Sequence, residues 1–219
     1  MEKLAQRNRE KVIDVLAERL GFERTSVKLY EKLLARMRTG ARGPEGGDYS
    51  TYGLSGYGSD ALSAAHDDIS REQGRPGATQ ASLDPVLAQL LPRIEGVRDQ
   101  EKEHEQWLEA CIRSLGGDPR KKTERSKLSA RETSGIEEVV MRDAELPHLL
   151  HALLAAEEVE SAGWDLLAEL ADEAGDDDAR SQFEKRLQEE RQHLDLLREA
   201  VRAYSAREIL GEGAGPAAP

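Results

Sequence analysis

The stretch "LQEERQHLDLL", residues 187–197, decides how this chain is read. Counting forward from Phe183 at 4,3 spacing gives Leu187, Glu190, Leu194, Leu197, Val201 and Tyr204 on one helical face. A single carboxylate, Glu190, interrupts that hydrocarbon seam, and His193, three residues on, shares its face. An acid and an imidazole turned into a packing surface are costly unless something there requires them.

Three further seams carry the same signature. Leu16, Leu20, Glu23, Val27, Tyr30, Leu34 and Met37 predict a first long helix ending near Gly40, with Glu23 its lone acid. Asp84 and Pro85 supply an N-cap and a first-turn proline for a second. Its seam runs Leu87, Leu90, Ile94, Val97, Glu101, His104, Leu108, Cys111 and Leu115. Pro92 should kink this helix or move its true start, and "GGDP" at 116–119 ends it. A third follows Pro147 through Leu150, Leu153, Leu154, Glu157, Trp164 and Leu167 to Gly175. The acidic run 176–178 then caps the fourth, which fades near Leu210.

Between these helices the pattern lapses. Residues 39–83 hold nine glycines and the run "YSTYGLSGYGSD", which reads as a long loop with too little apolar surface to order itself. Residues 116–146 read as a crossover with one short helical candidate, "SGIEEVVMRDAEL", opened by a capping box from Ser134 to Glu137. Residues 211–219, "GEGAGPAAP", read as a disordered tail, leaving 1–210 as a single domain.

The four seams form an internal repeat. The first helix superimposes on the third, with Glu23 on Glu157 and Tyr30 on Trp164. The second superimposes on the fourth, with Glu101 on Glu190 and His104 on His193. Counting from the connections places the acids at one height: Glu157 lies 18 residues before Gly175 and Glu190 lies 15 after it. Glu23 lies 16 before Thr39 and Glu101 lies 17 after Asp84, so all four sit roughly 25 Å from their turns at 1.5 Å per residue.

Four buried carboxylates lose their hydration and repel one another, so they imply compensating cations. Two divalent ions balance Glu23, Glu101, Glu157 and Glu190, and two imidazoles complete an oxygen-rich donor set that suits iron or manganese better than zinc. Composition agrees with helices: 34% of residues are charged and only 4% aromatic, which favours an all-α protein with solvated outer faces. A net charge of −12 argues against nucleic acid as a partner. One cysteine, Cys111, excludes a disulfide framework or a cysteine-ligated cluster and points to a reducing, cytoplasmic setting. No apolar run approaches the ~20 residues that span a bilayer.

These residues resemble the ferritin-like di-iron carboxylate proteins. Their pattern is one Glu from each of two helices and a Glu-x-x-His from each of the other two. Here the matches are Glu23 in "LGFERTS", "EKEH" ending at His104, Glu157 in "LLAAEEVESAGW", and "ERQH" ending at His193. The resemblance implies a four-helix bundle with a long crossover between its second and third helices. It also implies two iron ions cycling between Fe²⁺ and Fe³⁺, or manganese. Oxidation of Fe²⁺ or reduction of dioxygen or peroxide would then be the activity, served by an electron donor not identified by sequence. Ferritins and bacterioferritins carry a tyrosine two turns after the first-helix Glu, which adds Tyr30 as a candidate catalytic residue. Rubrerythrins carry a further carboxylate three residues after the third-helix ligand, which adds Glu160 as a candidate metal ligand, although spacing alone assigns it to the outer face.

The same features admit plainer readings. Glu145 and His148 also fit Glu-x-x-His, but Pro147 lies between them and no second acid lies opposite, so that pair is taken as chance. His66 and His151 read as solvent-facing or structural, and Tyr30 and Trp164 as core aromatics. A metal-stabilised interaction bundle without turnover, a manganese catalase-like enzyme and a substrate-oxidising di-iron enzyme are the alternatives, since fold and ligands do not choose a reaction. Assembly is left open, a homo-oligomer included.

Overall fold

The computed structural model describes residues 1–38, 85–142 and 145–211. The loop expected over 39–83, His66 within it, the Asp84 cap and the tail from 212 onward lie outside these residues. Six helices make up the described chain, and no strand occurs among the described residues. They are α1 (Glu2–Arg38), α2 (Pro85–Ser114), α3 (Glu124–Glu132), α4 (Ser134–Met141), α5 (Leu146–Glu173) and α6 (Asp177–Leu210). The fold class is all-α, and none of these helices is long and apolar enough to cross a membrane.

Contacts between helices fix their directions. Arg9 donates through Nε to the Leu115 carbonyl (2.5 Å) and Lys3 through Nζ to the Gly175 carbonyl (2.7 Å), so α1 begins where α2 and α5 end. Arg93 pairs with Glu199 and Gln100 with His193, while His104 meets Glu189, so α6 recedes as α2 advances. The four long helices therefore run up, down, down, up, in the ring α1–α2–α6–α5. The tight α5–α6 turn depends on Gly175, whose φ of 66° disfavours any side chain. Asp176 then caps α6 by accepting the Ala179 N–H (3.2 Å), and its other oxygen accepts the Leu4 N–H (3.0 Å).

Local signals in the sequence were partly misleading. α1 extends back to Glu2, with one non-helical residue, Asn8 (φ −163°, ψ 87°), whose Oδ1 accepts the Lys11 N–H and restarts the helix. Pro92 does not delay the start of α2, which runs as one helix from Pro85 through it to Ser114. It lies on the exposed face, and the carbonyl of Ala88 that loses its donor is also on an exposed residue, where water can serve it. The crossover holds two helices rather than one. Its capping box joins Thr123 and Ser126 at the start of α3, whereas Ser134 lies inside α4 and spends its hydroxyl on the Arg131 carbonyl. α3 escaped notice because its sequence is almost wholly polar and only Ser129 is buried.

The seams pack as two apolar clusters. One gathers Leu29, Leu33, Leu34, Ile94, Val97, Leu149, Leu150, Leu153 and Leu197. The other gathers Leu16, Leu20, Leu108, Ile112, Trp164, Leu167, Phe183 and Leu187. On every long helix the acids fall between the two, so the polar layer is walled from water on both sides. Each fully buried Leu contributes about 1.5–3 kcal/mol by removal from water. Leu108→Ala, inside the second cluster, should cost about 2–5 kcal/mol in urea unfolding. Leu166→Ala, on a residue 46% exposed, should stay within about 0.5 kcal/mol. Equal losses at the two positions would contradict this placement of the core.

Candidate metal centre

Each long helix turns its carboxylate inward because that residue sits in an otherwise apolar seam. Glu23, Glu101, Glu157 and Glu190 are all 0% exposed, and His104 and His193 are buried beside them. Ligand atoms of Glu23, Glu101, His104 and Glu190 lie within 4.8 Å of one another, and so do those of Glu101, Glu157, Glu190 and His193. Either group could hold a metal ion, and Glu101 and Glu190 belong to both. The two imidazoles stack with ring centroids 6.2 Å apart.

Both imidazoles present Nδ1 to the carboxylates. His104 Nδ1 lies 3.1 Å from Glu190 and 3.5 Å from Glu23, and His193 Nδ1 lies 2.9 Å from Glu101 and 3.4 Å from Glu157. Their outer nitrogens are held from behind. His104 Nε2 meets Glu189 Oε2 at 2.9 Å, and His193 Nε2 meets Gln100 Oε1 at 2.8 Å. An amide oxygen can only accept, so His193 carries a proton on Nε2, which leaves Nδ1 as the nitrogen that would give up its proton to bind an ion. Tyr30 donates its hydroxyl to Glu157 Oε1 at 2.5 Å. Trp164 shares one N–H between Glu23 Oε1 (3.0 Å) and Glu190 Oε1 (3.1 Å).

What remains unpaired faces inward. Both oxygens of Glu101, one each of Glu23, Glu157 and Glu190, and Nδ1 of both histidines are buried without a hydrogen-bond partner. Unsatisfied polar atoms so concentrated are a fit for cations, since a bound ion would serve all of them together.

A family model described as a domain of unknown function, DUF892, matches residues 79–209, more than half of the chain. The chain belongs to the DUF892 family. No curated protein and no solved structure matches it. The DUF892 segment carries Glu101, His104, Glu157, Glu160, Glu190 and His193, while Glu23 and Tyr30 come from α1, ahead of the match.

Glu160 is not on the outer face to which spacing assigned it. It is buried, accepts a hydrogen bond from Ser26 Oγ, and belongs to neither group of ligand atoms. α5 is rotated so that Glu157 and Glu160 both face the layer while Glu158 pairs with Arg198 at the surface. His148 and His151 are exposed, as expected for a chance motif and a solvent-facing residue. Sequence reasoning missed Arg19, Ser26, Gln100 and the orienting part of Glu189. The available signal for Arg19 was its place one turn before Glu23 on the same face. Gln100 and Glu189 immediately precede the two motif acids, and nothing in their spacing marks them.

Without metal, the layer tolerates its own charge by holding protons. Burial, then Glu190, Glu160, Glu157 and Glu23, push the Glu101 carboxyl well above the carboxylate range. Burial, then Glu23, Glu190 and Glu157, do the same to Glu160 against the pull of Arg19. Glu157 rises through burial and Glu190 despite His193. Glu190 goes the other way, because His104 and His193 outweigh its burial. Burial opposes charge on His104, yet Glu189, Glu190 and Glu23 lift it to about 12; Glu157 and Glu190 likewise lift His193 against burial to about 10.

The sign of the pH dependence follows. The folded, metal-free chain retains protons on Glu101, Glu157 and Glu160 that unfolded chain releases above about 4.5. It retains them on the two histidines from about 6.5 up to about 10 and 12. Stability should therefore fall as pH rises through this range, while the contribution of Glu190 is lost only in acid. In chelator the melting temperature should be higher at pH 6 than at pH 9, and the gain on adding Mn²⁺ should be larger at pH 8 than at pH 6, because metal displaces these protons. A melting temperature that climbs from pH 6 to pH 9 in chelator would contradict the electrostatics.

Proposed function

We propose that this chain is a ferritin-like dinuclear carboxylate oxidoreductase, with iron as its metal and manganese as the second candidate. The observation that carries the reading is the pair of ligand groups joined through Glu101 and Glu190. Glu23 and His104 would hold one ion, Glu157 and His193 the other, and the two shared carboxylates would bridge them. When bound, the two ions would pass between divalent and trivalent states, supplying the electrons that reduce dioxygen or peroxide.

The chain's own residues prepare that chemistry. Gln100 and Glu189 fix the imidazoles by Nε2, so the Nδ1 atoms are aimed before any ion arrives. The two halves are not equivalent, because a carboxylate backs His104 and a neutral amide backs His193. That difference makes the imidazole of His104 the more electron-rich donor. Trp164 orients Glu23 and Glu190 with a single N–H. Tyr30 orients Glu157 and keeps its own proton, since burial, then Glu157 and Glu101, raise its pKa well above the ordinary phenol value. It therefore acts at the layer as a neutral hydrogen-bond donor, and not as a phenolate base. The apolar clusters on either side keep water from the layer, which strengthens every charge interaction within it.

Anaerobic loading should saturate at two Fe²⁺ or Mn²⁺ per chain, and Glu101→Ala with Glu190→Ala should abolish both. Gln100→Ala should weaken binding about 10- to 100-fold while leaving the stoichiometry at two. Stopped exposure of the Fe²⁺-loaded protein to dioxygen or peroxide should give oxidation that the double substitution removes. Saturation at or below one ion, or oxidation that survives the double substitution, would defeat the reading. Two ions bound without oxidation by either reagent would favour the structural alternative.

A further inference from the structure

A buried guanidinium that pairs with one of the layer's carboxylates has no part in the ligand set. Arg19 is 4% exposed, donates through Nη1 to the Glu160 carbonyl (3.0 Å), and lies 3.3 Å from Glu23 Oε1 through Nε. Its guanidinium sits over the Phe22 ring, 4.6 Å from the centroid, and Nη2 has no hydrogen-bond partner. The helix opposite makes room for it. A Cβ at Gly163 on α5 would fall 1.9 Å from Arg19 Nη1 and 3.0 Å from its Cζ, so only glycine lets the cation lie against the α5 backbone. A cation is seldom buried this deeply without anions that need it.

The anions are identifiable by counting. Glu23, Glu101, Glu157, Glu190 and Glu160 are five buried carboxylates, one more than two divalent ions neutralise. We infer that Arg19, admitted by Gly163, is the fixed counter-charge of the fifth carboxylate and that it sets the centre's preference for divalent over trivalent ions. This rests on the dinuclear reading above. Once bound cations draw the protons from all five carboxylates, five negative charges and Arg19 leave four, the charge of two divalent ions. Without it the layer carries five, closer to what two trivalent ions require. Arg19 is thus a positioning residue that acts through charge and touches neither ion nor substrate. At an effective dielectric constant of about 20 and a separation under about 10 Å, one unit of charge changes the binding of an ion bearing one further charge by more than tenfold.

The test is equilibrium competition between Mn²⁺ and the redox-inert Ga³⁺, buffered with nitrilotriacetate, on the full chain. Arg19→Met should raise the Ga³⁺-to-Mn²⁺ affinity ratio tenfold or more, and Arg19→Lys should keep it near the wild-type value. Gly163→Ala alters no charge but displaces the guanidinium, so it should move the ratio in the same direction as Arg19→Met. A ratio unchanged within about twofold in Arg19→Met, or a Lys variant that behaves like the Met variant, overturns the inference. If Arg19→Met does not fold, an unchanged ratio in Gly163→Ala overturns it instead. Wild-type protein that binds neither ion at two per chain brings down the dinuclear reading and this inference together. Normal wild-type binding with an unmoved ratio removes this inference alone.

Discussion

Mutual repulsion among five carboxylates, stripped of water and held at one height, is the constraint on which the rest of the structure depends. Glu23, Glu101, Glu157, Glu160 and Glu190 are each at most 1% exposed. Their desolvation alone would oppose folding by several kcal/mol per ionised group. The chain answers with two imidazoles, one guanidinium, retained protons and a set of inward-facing atoms left for cations. The apolar clusters above and below supply the stability against which this cost is set, and they also keep the layer dry.

That constraint explains the topology of the helices as well as their composition. Four acids meet at one height only if the long helices place them at matching distances from their connections. The tight turn at Gly175 does this for α5 and α6. The N-terminal end of α1, tied to Leu115, Gly175 and Asp176, does it for the helices that turn does not join. α3 and α4 contribute nothing to the layer and instead cover flanks of α1 and α5.

Much of this was legible in sequence because the seam is periodic and its exceptions are chemical. Glu190 and His193 in a row of leucines, repeated at Glu101 and His104, identify buried polar groups without any coordinates, and the heights follow from residue counting. What escaped had no periodic signature. The rotation of α5 that buries Glu160 along with Glu157 depends on how α5 packs against α1 and α6, and Ser26 meets Glu160 across that contact. Gln100 and Glu189 each stand beside a motif acid, where a surface residue is the ordinary expectation. Arg19 reads as solvated until Gly163 is seen to open the opposing helix. The polar α3 and the uninterrupted passage of α2 through Pro92 failed for a simpler reason: their backbones are stabilised by neighbours and solvent rather than by local propensity.

A crystal structure of the protein grown with Mn²⁺, with anomalous difference density measured at the manganese edge, examines the dinuclear layer most directly. Two peaks should appear between His104 and His193, one bounded by Glu23 and the other by Glu157, with Glu101 and Glu190 reaching both. A single peak, or density confined to the protein surface while the layer stays empty, would contradict the dinuclear centre.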